Sequence, residues 1–259
     1  MNIVASIQAR MGSKRLPGKV LENVCGKPML LWQVERMRRS RVIDNVVVAT
    51  SLSSIDDELE SFCRKHQIDC YRGSEEDVLS RITALTTDLQ VDIHVESFGD
   101  SPLIDPQIID EFIAYYLKYK DIGDYFSSAL KTTYPPGMEV SIYRSKTLLD
   151  VNRLVLPDDP LREHAGFNIT RFPERFKLHS IVAPAWHFAP DVFLEVDVSE
   201  DLEVLREIVN YFVSRGEEYF SLREILSMLE SRPELAKKNR NIERRWKILR
   251  DEVISKRSL

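Results

Sequence analysis

The chain is short of the residues that mark several common site types. Only nine glycines occur in 259 residues, and they form neither of the usual phosphate-loop fingerprints. Gly12 and Gly18 stand one residue too far apart for a G-x-x-x-x-G-K-[ST] loop, Val20 follows the lysine, and no G-x-G-x-x-G occurs after the first apolar run. Three cysteines (Cys25, Cys63, Cys70) are odd in number and lack metal-ligand spacing, which argues for reduced thiols rather than a disulfide framework. The five histidines (His66, His94, His164, His179, His187) form no ligand-spaced set, so a zinc site is not expected. No apolar run approaches the ~20 residues that span a bilayer. The N-terminus enters a strand pattern without a signal-peptide pattern, so a cytoplasmic protein without membrane contact is expected. A net charge of −5 argues against a general nucleic-acid binder.

What is present fits a soluble globular chain, with 43% apolar and 30% charged residues. Its length suits one large domain, or one domain with a small appendage. The most informative stretch is Met1 to Leu21. Ile3-Val4-Ala5-Ser6-Ile7 has the composition of a buried strand, after which Arg10, Lys14, Arg15 and Lys19 fall within ten residues together with Gly12, Ser13, Pro17 and Gly18. Small residues let backbone N–H groups approach an anion, and the cations neutralise it. The stretch is therefore a candidate phosphate site in an acidic chain. The plainer alternative is a solvated basic turn.

Beyond it, strand and helix patterns alternate. Helices are expected from Pro28 to Arg39, Ser54 to His66, near Glu75 onward with Ser74 as N-cap, and Pro106 to about Tyr119; strands are expected at 46–51, 68–71 and 91–97. This rhythm predicts an α/β fold with a doubly wound, mostly parallel sheet, whose ligands sit beyond the carboxyl ends of the strands. After Asp121 the pattern weakens. Strands are expected at 124–130, 139–144, 176–183 and 192–196, with helices at about 146–152 and 200–214, the latter capped by Ser199. Residues 1–220 are read as one domain, in which 124–190 forms a wall of the site and a subunit contact. Residues 221–259 are read as a helical tail with a solvated charged end (Lys237, Lys238, Arg240, Arg244, Arg245, Lys247).

Two aspartates fall at strand ends. In Gly99-Asp100-Ser101-Pro102-Leu103 a hard carboxylate is placed to hold Mg²⁺ against a phosphate, or else to satisfy its own turn backbone. Asp197 closes a strand pattern before Glu200 and Asp201, which suit the first turn of a helix.

Ile7 to Leu21 (IQARMGSKRLPGKVL) resembles the signature loop of the cytidylyltransferases that make CMP-activated sugar acids, nearest to the spore-coat-polysaccharide type related to CMP-Kdo synthetase. Three further elements, Ala49-Thr50-Ser51, the run from Arg72 to Arg81, and Gly99 to Leu103, match the same family, as does Val196 to Leu202 in part. The resemblance spans roughly residues 1–240 and implies a Rossmann-like, glycosyltransferase-A-like nucleotidyltransferase fold with a small antiparallel excursion. It implies that Ala9, Arg10, Met11, Gly12, Ser13, Arg15 and Lys19 surround the triphosphate of CTP, and that Ala49, Thr50, Ser51, Gly73, Asp77 and Arg81 surround its cytosine and ribose. Arg15, Lys19 and Asp100 are the implied catalytic groups, and Asp100 and Asp197 the implied Mg²⁺ ligands. Pro102, Tyr134, Glu139, Arg162 and His164 are the implied acceptor side, and a homodimer is expected. The implied reaction activates a 3-deoxy-2-ulosonic or nonulosonic acid for surface glycan synthesis. A sugar-1-phosphate nucleotidyltransferase and a non-catalytic nucleotide-binding homologue are the alternatives. The chain departs from the family at Glu96, usually a basic residue, and at Phe98, usually threonine or a similar small residue.

Overall fold

The computed structural model of the chain describes residues 1–244. The first strand, β1 (Ile3–Gln8), leads into the basic loop and then a hairpin of two short strands, β2 (Asn23–Val24) and β3 (Lys27–Pro28). The sequence patterns did not anticipate this hairpin. Its turn residues Cys25 and Gly26 both have positive φ (50° and 88°), the conformation a two-residue hairpin needs. The chain continues through α1 (Met29–Met37), β4 (Asn45–Ser51), α2 (Asp57–Lys65), β5 (Asp69–Gly73), α3 (Val78–Asp88), β6 (Ile93–Phe98) and α4 (Pro106–Tyr119). It ends with β7 (Tyr125–Ser127), β8 (Ser141–Arg144), α5 (Ser145–Leu154), β9 (Leu178–Ser180), α6 (Ser199–Val213), α7 (Leu222–Ser231) and α8 (Pro233–Lys237).

The main sheet has seven strands in the order β5-β4-β1-β6-β8-β7-β9. Strands β5, β4, β1 and β6 are mutually parallel, whereas β8 runs antiparallel to both β6 and β7. The expected doubly wound, mostly parallel sheet with an antiparallel excursion is thus present. Period-two alternation sends β1 to both faces. Ile3, Ala5 and Ile7 join a core that includes Leu30 and Val34 of α1, Ile109 and Ile113 of α4, and Leu205 and Ile208 of α6. Val4 faces the other way, into a second core with Leu79 and Ile82 of α3 and Leu148 and Val151 of α5. Each such aliphatic side chain taken out of water contributes about 1.5–3 kcal/mol.

Several boundaries differ from the sequence expectations, each for a local reason. Helix α3 starts at Val78 rather than near Glu75. Asp77 is its cap, accepting the Ser80 N–H at 2.8 Å, while Ser74 Oγ accepts the Asp77 N–H at 3.0 Å in the turn before. Residues 192–196 are extended but form no strand, because their donors go to two different loops. Leu194 and Glu195 bond to the Pro136 carbonyl (2.7 and 3.0 Å), and Val196 bonds to that of Asp100 (2.8 Å). Ser199 is the first residue of α6 rather than its cap; the capping acceptor is the Asp201 carboxylate, which takes the N–H groups of Asp197 and Val198.

In the tail, Leu222, Ile225, Met228, Leu229 and Leu235 belong to the same core as β1. Of its charged end Lys237, Lys238 and Arg240 are exposed as expected, whereas Arg244 is only 2% exposed. Arg245 and Lys247 lie outside the described residues.

Candidate active site

The carboxyl ends of two strands, β1 and β6, and the segment before α6 converge on one cleft of about 360 Å³, a size suited to a small ligand. The β1 end supplies Gln8 and Ala9 and then the basic loop with Arg10, Ser13, Lys14, Arg15 and Lys19. The β6 end supplies Phe98, Gly99 and Asp100, and the segment before α6 supplies Asp197. Val78 and Arg81 of α3, with Glu163 and His164, complete the wall.

The loop is shaped by its own backbone. The N–H groups of Ser13 and Gly18 both bond to the Met11 carbonyl at 2.9 Å, and Gly18 takes φ 72° where a side chain would be strained. The Met11 N–H donates to Asp56 Oδ1 at 2.7 Å, which pins the loop to the segment after β4. The β6 turn lies hard against this loop. The Gly99 N–H donates to the Gln8 carbonyl at 2.9 Å, and a Cβ on Gly99 would stand 3.0 Å from that of Ala9. Glycine at this position is what lets Asp100 sit beside the basic loop.

The charges in the cleft are paired. Asp197 Oδ1 lies 3.1 Å from Lys19 Nζ, and Oδ2 lies 2.6 Å from Arg15 Nη2. Lys19 Nζ also donates to the Val196 carbonyl at 2.6 Å and is largely buried. Burial pushes the Asp197 carboxyl upward, but Lys19 and then Arg15 outweigh it and hold the group below its ordinary range. Asp100 behaves oppositely. Its burial raises the carboxyl pKa, the nearby Asp197 raises it further, and Lys19 only partly compensates. A bond from the Ser101 hydroxyl at 3.3 Å is weak support.

Two hard carboxylates that repel each other, one without a cation in contact, are a donor set a divalent ion fits. Among the described residues no group of three or more His, Cys, Asp or Glu is arranged to hold a metal. Such an ion would therefore take its remaining ligands from phosphate oxygens and water, the usual arrangement for Mg²⁺.

Arg10 reaches across the mouth to Glu163, at 3.0 Å, a half-exposed pair that contributes little to stability. Arg81 is held in the wall. Its Nη1 donates to the Ser74 carbonyl at 2.9 Å, and Gly73 leaves room for its stem, since a Cβ there would lie 2.6 Å from Arg81 Cγ. Burial and then Arg10 lower its pKa to about 10. The cleft thus gathers Ala9, Arg10, Ser13, Arg15, Lys19, Arg81, Asp100, His164 and Asp197 from the sequence-derived set.

Other expected contacts lie behind the wall. Met11 and Gly12 belong to the loop but not to the cleft lining, and Ala49, Thr50 and Ser51 are buried in β4. Ser51 instead bonds to Asp56. Asp77 receives the Arg162 guanidinium, whose Nε donates to Oδ2 at 2.8 Å while Nη1 and Nη2 donate to Val155 and Asn152. Arg162 is therefore committed within the protein, a correction to its reading as a partner for an acceptor carboxylate. Tyr134 packs edge-on against Phe112 in the core, Pro102 is buried, and Glu139 accepts the Gly137 N–H at 2.6 Å.

Gln8, Val20, Val78, Phe98, Gly99 and Glu163 line the cleft without having been assigned to it, and Lys14 of the candidate phosphate stretch lines it too. Gln8 follows from strand parity, since it ends β1 and its neighbour across β6 is Phe98. Beneath them lies Glu96, 2% exposed, accepting from Gln8 Nε2 at 2.5 Å and from the Gly166 N–H at 3.2 Å. Burial pushes its pKa up to about 7.

Comparison with known proteins agrees with this geometry. The family model described as cytidylyltransferase matches residues 4–235. The chain is 31% identical over 239 residues to the spore coat polysaccharide biosynthesis protein SpsF of Bacillus subtilis, covering 91% of this chain and 97% of that one. Its fold matches a cytidylyltransferase from Leptospira borgpetersenii with a TM-score of 0.86 at 28% identity, over 94% of this chain and 100% of the other. It also matches a CMP:2-keto-3-deoxy-manno-octonic acid synthetase solved with CTP, with a TM-score of 0.61 at 18% identity, over 82% and 99% of the two chains. A basic loop after β1 and two aspartates, one after β6 and one before α6, in a chain matched almost throughout by that family model, mean that the protein belongs to the cytidylyltransferases and is a CTP-dependent nucleotidyltransferase.

Proposed function

We propose that the enzyme transfers the cytidylyl group of CTP to a sugar acid, a 3-deoxy-2-ulosonic or nonulosonic acid, and releases pyrophosphate. The product would serve surface polysaccharide or glycan synthesis. The observation that carries this reading is the meeting of Arg15, Lys19, Asp100 and Asp197 in one cleft. The triphosphate lies against the loop from Ala9 to Lys19, and Arg15 and Lys19 neutralise the charge that builds on the departing pyrophosphate. Both cations already contact Asp197, so each remains paired as phosphate oxygens arrive. Asp100 and Asp197 would hold Mg²⁺, which when bound polarises the α-phosphate. Arg81 and Gln8 lie on the wall available to the nucleoside or the acceptor. His164, whose pKa burial lowers, is a neutral hydrogen-bonding group on the side of Glu163. Tyr134 and Arg162 are buried, and Arg162 holds Asp77, the cap of α3, next to Val78 of the wall.

The SpsF relative's role in spore coat polysaccharide biosynthesis and the synthetase neighbour's CTP complex support the glycan destination and the donor. No helix among the described residues is long and apolar enough to cross a membrane, and CTP as donor suits a cytoplasmic enzyme. A homodimer through the 124–190 block is supported by exposed Val182, Trp186 and Phe188; the mass in solution by light scattering tests it, a monomer contradicting it.

The test of function is pyrophosphate release on mixing the enzyme, CTP and Mg²⁺ with a panel of sugar acids and sugar 1-phosphates. Release with a sugar acid is expected. Release only with sugar 1-phosphates would replace the acceptor class, and release with no member would contradict the reading.

A further inference from the structure

The backbone on either side of Asp197 is held by residues near the C-terminal end of the described chain. Asp201, four positions on, is fully buried, and its Oδ2 accepts the backbone N–H groups of Asp197 at 2.9 Å and Val198 at 3.1 Å. Arg244 clasps that same carboxylate with two parallel bonds, Nη1 to Oδ2 and Nη2 to Oδ1, both 2.8 Å. Asn239 Nδ2 adds a third contact, 2.8 Å to Oδ1, and also donates to the Phe193 carbonyl at 3.1 Å. The guanidinium lies over the Phe193 ring, 4.6 Å from its centroid, and 3.5 Å from Glu195 Oε1. The segment 239–244 therefore grips the backbone that carries Asp197 both before it, at Phe193, and after it, through Asp201.

A buried ion pair is a poor way to stabilise a fold, because apolar residues of similar volume often serve as well. What a bidentate arginine–carboxylate pair adds is fixed geometry. Here the geometry it fixes is that of two N–H groups, those of Asp197 and Val198, just before α6. We propose that Arg244, acting through Asp201, is a positioning residue for Asp197, and that metal-dependent binding of CTP depends on this C-terminal clasp. The proposal rests on the reading that Asp100 and Asp197 hold the divalent ion.

The experiment is calorimetric titration of CTP, with Mg²⁺ and with EDTA, into wild type and the variants Arg244→Met, Arg244→Lys and Asp100→Asn. The quantity read is the gain in affinity that Mg²⁺ confers. Asp100→Asn should abolish the gain, which tests the underlying reading by itself because Asp100 does not touch Arg244. Arg244→Met should cut the gain about tenfold, the lower end for groups that orient a metal ligand, while affinity in EDTA stays within about twofold. Arg244→Lys keeps the buried charge but cannot span both oxygens, so it should fall between; it decides the matter if the Met variant melts. A purely structural role would lower the melting temperature and both affinities together, and that result overturns the proposal. So does a full Mg²⁺ gain in either Arg244 variant when Asp100→Asn has lost it. A full gain in Asp100→Asn would instead overturn the metal reading beneath the proposal.

Discussion

Lys19 and Asp197 stand 178 positions apart in the chain, yet Lys19 Nζ donates to Asp197 Oδ1 at 3.1 Å inside the cleft. Only the meeting of the basic loop with the segment before α6 makes this contact, and it joins the two groups to which the proposed function gives the phosphate and the metal.

Lys19→Met should therefore damage catalysis more than fold. The variant leaves Asp197 with Arg15 as its remaining cation, and it removes the charge that the proposed reaction sets against the leaving pyrophosphate. Steady-state pyrophosphate release with the best acceptor is expected to drop about 10²–10³-fold in kcat. A drop of less than about threefold would place Lys19 outside the reaction.

Gly99→Ala tests the packing that brings Asp100 to the loop. The added methyl would lie 3.0 Å from Ala9 Cβ and 3.2 Å from the Gln8 carbonyl oxygen, so the turn must move by a few tenths of an ångström. Turnover should fall about ten- to a hundredfold, since small displacements near reacting groups are costly. The melting temperature should change little by comparison. Unchanged turnover would show that Asp100 tolerates displacement.

Glu96 predicts a pH effect on stability. Its folded pKa, raised by burial to about 7, exceeds the ordinary 4.5, so the folded state holds a proton that the unfolded state has released. The stability it contributes is complete below about pH 4.5 and is lost as pH rises toward 7, with a slope of at most about 1.4 kcal/mol per pH unit. Glu139, also raised to about 7 by burial, acts in the same window. Glu96→Gln should flatten the decline measured by urea unfolding between those limits without abolishing it. An undiminished slope would contradict the assignment.

Much of the fold was legible because its signals are local. The apolar run at residues 3–7, the alternation through α4 and the cluster from Arg10 to Lys19 each declare themselves within a few residues. The cap of α3 is Asp77 and not the expected Ser74; both residue types cap helices, and no local pattern chooses between them. Residues 192–196 read as a strand from their apolar residues, but a strand needs a partner, and their donors found loops. The commitments of Arg162 to Asp77 and of Arg244 to Asp201 are long-range pairings between common charged residues, and no local pattern foretells them. Glu96 was visible as a departure at its position, yet its burial beneath Gln8 needed the register of β1 with β6.

The most direct measurement is a crystal structure with CTP and Mn²⁺, whose anomalous signal marks the ion independently of the nucleotide. A single Mn²⁺ peak between Asp100 and Asp197, with the triphosphate under the loop from Ala9 to Lys19, is the predicted result. An ion bound elsewhere, or a nucleotide lying outside this cleft with the Lys19–Asp197 contact untouched, would contradict the account.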